Sequence, residues 1–264
     1  MLGFSIKILE DDMAKRNILI TGASSGLGEA LARYSASQGC NLALVARRLE
    51  NLEQIAEQIR EQYHVRVEVA QLDVSEHDKI LPIFMGFHDL LGQIDCVVIN
   101  AGVLSLRKLA DHRLENDAHN FNVNVISAIA CSDAAQHLFQ YQGGGGQIAV
   151  VSSYSAFIAL PKAASYSASK AAVASYFNAI RPILLKRNIN VTILYPGFVK
   201  TDILGNFKTS SALLAEPDHV AKLMYQAIDA KKAEAIVPPL PWKILYGIQQ
   251  VTPNALLRLA SRWI

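Results

Sequence analysis

The strongest constraint on the fold is the run from Asn17 to Ser37. Asn17 to Thr21 is a short apolar stretch, N-I-L-I-T. Thr21 to Gly28 then reads T-G-A-S-S-G-L-G, and Gly26 to Ser37 carries apolar residues at helical spacing until Gly39 stops it. The order is strand, glycine-rich turn, helix. Such a turn leaves backbone N–H groups unpaired at the positive end of a helix, which suits a phosphate. Gly22, Gly26 and Gly28 allow the backbone to approach a ligand closely, and Ser24, Ser25 and Leu27 fill the turn between them. The spacing is G-x-x-x-G-x-G, not the G-x-G-x-x-G of other dinucleotide folds. A turn of this composition with no ligand is the plainer alternative. Its position after a strand and before a helix weighs against that alternative.

The same alternation continues along the chain. Asn41 to Ala46 is a second buried strand, and Leu49 to Gln62 an amphipathic helix. Val65 to Leu72 alternates as a strand, and Ile80 to Leu91 is helical, with a start as early as Glu76. Cys96 to Ile99 is a strand, Leu114 to Phe139 a long helix, and Gln147 to Val151 the next strand after a Gly143–Gly146 turn. The helix around Tyr166 runs to about Arg187. Its Pro182 loses a hydrogen bond and clashes with the preceding turn, at about 3 kcal/mol or more, so a kink is expected there. Asn190 to Tyr195 and Ala235 to Val237 are strands, with a helix from Asp218 to Ala230 between them. Strands alternating with helices predict a doubly wound parallel α/β sheet with right-handed crossovers.

Composition narrows the class. A chain of 264 residues fits one α/β domain, and 51% apolar against 18% charged residues argues for an ordered globule. A net charge of +2 with no basic run of five points away from nucleic acid. Cys40, Cys96 and Cys131 are odd in number and far apart. They make neither a disulfide framework nor a metal-binding spacing, so no metal and a reduced, cytoplasmic setting are expected. No apolar run reaches the ~18 residues of a membrane-spanning helix.

The chemistry concentrates in Ser152 to Asn178. Tyr166 and Lys170 stand four residues apart among helix-tolerant alanines, so phenol and ammonium share one helix face. A neighbouring cation lowers a tyrosine pKa from about 10, and a lowered tyrosine exchanges protons at working pH. A lone Y-x-x-x-K is common and usually only structural. Two further motifs change the weighting: T-G-A-S-S-G-L-G, and N-A-G at Asn100, Ala101 and Gly102, which ends the Cys96–Ile99 strand.

Together these motifs resemble the short-chain dehydrogenase/reductase family over about Asn17 to Ile203. The resemblance implies about seven strands in one Rossmann-type domain. It implies a catalytic set of Asn124, Ser153, Tyr166 and Lys170. Ser153 is selected by lying thirteen residues before Tyr166, with Ser152 and Ser155 as competitors. Asn124 has a rival in Asn122, and an Asn inside an apolar helix is costly unless its amide is bonded. The implied roles are a substrate hydrogen bond for Ser153, proton transfer for Tyr166, and for Lys170 both the tyrosine pKa and the nicotinamide ribose. Asn124 disturbs its helix and holds a relay water. Asp73, followed by Val74, matches the family's adenine-contacting acid, although an Asp before a helix is often only a cap. P-G-F-V-K-T-D resembles the cofactor-capping turn, with Pro196, Gly197 and Val199 leading to Thr201 at the carboxamide. Two departures are Ile99, where the family commonly has a second Asn, and Ala156, where it commonly has Gly.

The residues after Asn41–Ala46 speak to the cofactor. An acid that would bond ribose hydroxyls is replaced by Ala46, and Arg47 and Arg48 follow. An arginine pair suits a 2′-phosphate through charge-assisted bonds, so NADP(H) is expected over NAD(H). The alternative is that both arginines simply open the next helix into water, although arginine there opposes the helix dipole. The resulting expectation is an NADP(H)-dependent oxidoreductase interconverting a ketone or aldehyde with an alcohol, a homodimer or homotetramer by resemblance. A nucleotide-binding sensor with little turnover, or an epimerase or dehydratase, is the alternative.

The ends of the chain are the least familiar. Residues 1–12 precede Met13 and read as an extension outside the fold; 13–237 form the catalytic domain and 238–264 a tail. Ile203 to Pro217 is polar and reads as a mobile substrate lid. The tail predicts two amphipathic helices split by Pro253, with Trp242, Leu245, Tyr246 and Trp263 among much apolar surface. Packing over the substrate pocket or a subunit interface is favoured over a membrane surface bound through Lys243, Arg258 and Arg262. The apolar residues of the lid and tail hint at a lipophilic carbonyl substrate.

Overall fold

The computed structural model describes residues 16–105, 114–160, 163–204 and 211–251. The proposed extension, the centre of the proposed lid and the tail beyond Val251, including Pro253 and the second tail helix, lie outside the described residues. Seven parallel strands form one sheet in the order β3-β2-β1-β4-β5-β6-β9. They are β1 (Asn17–Thr21), β2 (Asn41–Ala46), β3 (Val67–Gln71), β4 (Cys96–Ile99), β5 (Gly146–Val151), β6 (Ile189–Pro196) and β9 (Glu234–Val237). The chain winds outward from β1 to β3, returns to β4 beside β1, and then winds the other way. The switch point therefore falls between β1 and β4, where an open α/β sheet leaves a crevice.

Both faces of the sheet are covered, which is why its central strands are continuous apolar runs. Alternation along β2 divides the core. Leu42 and Leu44 join α1 (Gly26–Ser37), α2 (Leu49–Tyr63) and α7 (Pro217–Asp229) on one face. Ala43 and Val45 join α3 (His77–Leu91), α5 (Ser127–Tyr141) and α6 (Ala164–Leu185) on the other. Cys40, Cys96 and Cys131 are buried, and burial raises the Cys96 and Cys131 thiols to about 12. No helix of the described residues is long and apolar enough to cross a membrane.

Several expectations change in detail. α3 carries Pro82, which the reading of Ile80–Leu91 did not single out. α6 begins at Ala164 and continues for three residues past Pro182. The long helix expected from Leu114 is α4 (Leu114–Phe121), a π-helical turn at Asn122–Ile126, and then α5. The region read as a lid contains structure of its own. β8 (Leu214–Ala215), near its end, pairs in parallel with β7 (Phe198–Val199), which precedes it. α8 (Trp242–Val251) follows β9 and returns over the carboxyl ends of the strands.

Candidate functional site

A cleft of about 530 Å³ opens at the switch point and is lined from Arg47 and Arg48 at one end to Tyr166, Trp242 and Leu245 at the other. The sequence-predicted Gly22, Ser24, Ser25, Gly26, Leu27, Gly28, Asp73, Val74, Asn100, Ala101, Gly102, Pro196, Gly197, Val199 and Thr201 all line it. Ser153, Tyr166 and Lys170 line it as well. Asn124 does not line it; its amide lies behind Gly102, with Oδ1 3.1 Å from where a Gly102 Cβ would stand.

The turn after β1 is folded against β4. Gly22 has φ +69°, and a Cβ there would lie 2.8 Å from Ala101 Cα. A Cβ on Gly28 would lie 2.2 Å from the Gly22 oxygen. Asn100 locks this contact: its Nδ2 donates to the Thr21 and Gly22 oxygens at 3.0 and 3.2 Å. Thr21 Oγ1 in turn accepts from the Asn100 and Ala101 backbone N–H groups. Ser25 caps α1 without a side-chain bond to it, so its first backbone N–H groups remain available. These features fit a pyrophosphate laid against the turn.

At the outer end, Arg48 reaches back across the turn. Its Nη2 donates to Ser24 Oγ at 3.1 Å and to Ser25 Oγ at 2.6 Å. It therefore does more than open α2, although it is also the N-cap residue of that helix. Arg47 stays exposed near Asp73. Asp73 Oδ1 accepts from Ser75 N and Oγ at 2.9 and 2.7 Å. Burial alone would raise its carboxyl, but the Ser75 bonds and the Arg47 charge carry it below its ordinary value. Asp73 is thus a turn-forming acid that also lines the cleft.

The inner end is built on β5 and α6. Ser153 Oγ accepts from Ser155 N at 3.1 Å and hydrogen-bonds the Tyr166 phenol. Of its competitors, Ser152 Oγ donates to the Lys170 oxygen at 2.8 Å, and Ser155 Oγ is buried without a partner among the described residues. Lys170 Nζ lies 5.8 Å from the Tyr166 ring centroid and donates to the Val151 oxygen at 2.9 Å. Burial lowers the Lys170 ammonium to about 8.

The expected lowering of Tyr166 by Lys170 does not appear. Burial pushes the phenol above its ordinary value, opposed only by the Ser153 bond. The helical spacing brings the two groups together, but the ammonium turns to Val151 and desolvation outweighs it. A protonated phenol is the form a proton donor needs.

Asn124 sits in the π-helical turn, where such turns often serve sites. Its Oδ1 accepts from Val103 N at 2.8 Å. Its Nδ2 donates to the Val103 oxygen and to Ser169 Oγ, both at 3.0 Å. Among the described residues, Asn122 contributes its backbone oxygen, which accepts from Ser127 Oγ at 2.9 Å. A residue the sequence reading passed over repeats the pattern one turn earlier: Asn120, fully buried, donates to Ser165 Oγ at 2.8 Å. Ser165 and Ser169 flank Tyr166, so two Asn–Ser bonds brace α6 around the phenol. The signal available in the sequence was the N-x-x-x-N spacing opposite S-Y-x-x-S.

Comparison with known proteins finds similar chains and folds. The family described as short chain dehydrogenase matches residues 16–212. An uncharacterised oxidoreductase of Mycobacterium tuberculosis is 33% identical over 93% of this chain and 97% of its own length. An 11-beta-hydroxysteroid dehydrogenase-like protein of Arabidopsis thaliana is 34% identical over 92% of this chain and 80% of its own. Among solved structures, a short-chain dehydrogenase from Sphingobium yanoikuyae in complex with NADPH superposes with a TM-score of 0.77 at 26% identity. That superposition covers 90% of this chain and 95% of that one.

Proposed function

The chain belongs to the short-chain dehydrogenase/reductase family, and we propose that it is an NADP(H)-dependent oxidoreductase interconverting a ketone or aldehyde and its alcohol. The observation that carries this reading is the hydrogen-bonded Ser153–Tyr166 pair, with Lys170 one helical turn away, at the inner end of a cleft whose outer end is Arg48. A bound nicotinamide supplies or accepts the hydride. The chain's own residues do the rest. Ser153 holds the substrate oxygen, and Tyr166, kept protonated by burial, gives its proton to that oxygen as it becomes an alkoxide. Lys170 contributes its charge behind the phenol and would hold the nicotinamide ribose. Asn124 fixes the Val103 backbone and, through Ser169, the helix that bears Tyr166.

Cofactor choice rests on Arg48. Held by Ser24 and Ser25 over the start of α1, its guanidinium would meet a 2′-phosphate, with Arg47 beside it. The NADPH bound by the Sphingobium protein supports the same preference. The apolar lining at the inner end, with Val103, Leu104, Ile158, Leu160, Phe198 and Leu245, supports a lipophilic substrate. The exposed Leu114, Phe121 and Ile126 along α4 and the π turn support self-association.

The test is NADPH oxidation by the purified protein with a panel of lipophilic ketones. Tyr166→Phe is expected to lower turnover at least about a thousandfold while NADPH still binds. Turnover equal to that of the parent protein would sink the assignment.

A further inference from the structure

The family match ends at residue 212, yet the inner end of the cleft is completed from well beyond it, by Trp242 and Leu245 of α8. Trp242 is 4% exposed, with ring centroids 4.5 Å from Tyr154 and 5.4 Å from Phe198. Phe157 packs against Tyr154, Tyr195 and Tyr246 at 5.8, 4.5 and 4.7 Å. The indole lies so close on the Pro196–Gly197 turn that a Cβ at Gly197 would stand 2.1 Å from Nε1.

The rings alone would make an ordinary aromatic core. Their polar atoms do not fit one. The Tyr154 hydroxyl, the Ser155 hydroxyl and Trp242 Nε1 are all buried, and none has a hydrogen-bond partner among the described residues. Folded proteins rarely leave buried polar groups unpaired, because the desolvation cost is not recovered. Six side-chain atoms are in this state among the described residues, and half of them fall in this one cluster at the cleft wall. Indole nitrogen can only donate. Burial lifts the Tyr154 phenol to about 12, so it too remains a donor across the working range. Tyr154 and Ser155 directly follow Ser153, which bonds the Tyr166 phenol, so the reacting atoms and this cluster share one short turn.

We propose that Tyr154, Ser155 and Trp242 form a specificity subsite for the far end of the substrate, selecting a flat apolar carbonyl compound that carries a second, uncharged hydrogen-bond acceptor. The inference rests on the oxidoreductase reading and adds the substrate class to it. A carbonyl held by Ser153 and Tyr166 leaves the body of the molecule against the Tyr154 and Trp242 rings. Its distal oxygen takes the place of the partner these donors lack. The donors are sealed by ring-to-ring contact in the structure, so the substrate reaches them by sliding between Tyr154 and Trp242. Ring then packs on ligand where ring packed on ring.

The experiment compares 2-decalone with decalin-2,6-dione, two fused-ring ketones that differ by a distal carbonyl, using NADPH and the full chain. The parent protein is expected to favour the dione by about tenfold in kcat/KM. Trp242→Phe and Tyr154→Phe, which keep the rings and remove one donor each, are expected to bring that ratio towards one. Thermal unfolding adds an independent readout. Removing an unpaired hydroxyl leaves nothing unsatisfied, so Tyr154→Phe should melt no lower than the parent. An unchanged ratio in both variants, no preference in the parent, or a clear loss of melting temperature in Tyr154→Phe overturns the subsite while NADPH-dependent reduction stands. No reduction of either ketone overturns the oxidoreductase reading and the subsite with it.

Discussion

The two ends of the cleft are built by different means. At the Arg48 end the backbone does the work: a turn with no room for a Cβ on Gly28, braced by the Asn100 amide and leaving the start of α1 open. At the Trp242 end the wall is made of side chains that come from three distant places, Tyr154 after β5, Phe198 in β7 and Trp242 in α8. The first end is a fixed cradle for a ligand common to a whole family. The second is a set of rings and unpaired donors whose identity is open to change without touching the sheet. A fold that hosts many activities is expected to divide its site in this way.

That contrast is open to attack at its strong end first. Gly28→Ala places a methyl against the Gly22 oxygen and the Asn100 amide. It is expected to weaken NADPH binding more than about a hundredfold in a titration, because the whole turn must move. Arg48→Ala removes a charge and leaves the turn intact. It should reduce the preference for NADPH over NADH by about tenfold to a hundredfold, the range of one or two charge-assisted bonds.

Between the two ends stands Lys170, lowered by burial to about 8. Its ammonium is charged below that pH and neutral above it. Ketone reduction should therefore fall about tenfold per unit as pH rises beyond about 8, with little change below, in a profile of kcat/KM. Lys170→Arg should move the break upward. The smallest expected effect is at Asn120. Losing its bond to Ser165 should cost about 1 kcal/mol of stability in Asn120→Ala, with a several-fold loss in kcat and an unchanged Kd for NADPH.

Legibility in the sequence followed the same division. β1, α1, β2 and β4 lie where the apolar runs and the glycine turn put them, because each is specified by residues adjacent in the chain. The Tyr166–Lys170 spacing was readable, but the direction of the Tyr166 shift was not. Spacing reports proximity, whereas burial depends on everything packed around the phenol. Asn124 was singled out by resemblance, with the cost of a buried amide in support, while Asn120 was passed over because its partner Ser165 lies in another helix. Ile203 to Pro217 read as a polar lid, since nothing local announces that Leu214–Ala215 will pair with Phe198–Val199. Trp242 was visible as an aromatic in an amphipathic tail. Its place on Gly197 depends on β9 closing the sheet edge beside β6, which no local pattern carries.

The most direct test of the account is a fluorescence titration of the purified protein with NADPH and NADH in parallel. Tight NADPH binding, with NADH weaker by at least about tenfold, is the predicted result, because the proposed contacts of Arg48 and Arg47 go to the 2′-phosphate that NADH lacks. Equal or tighter NADH binding would contradict the role given to Arg48. Binding of neither would contradict the reading of the cleft as a dinucleotide site.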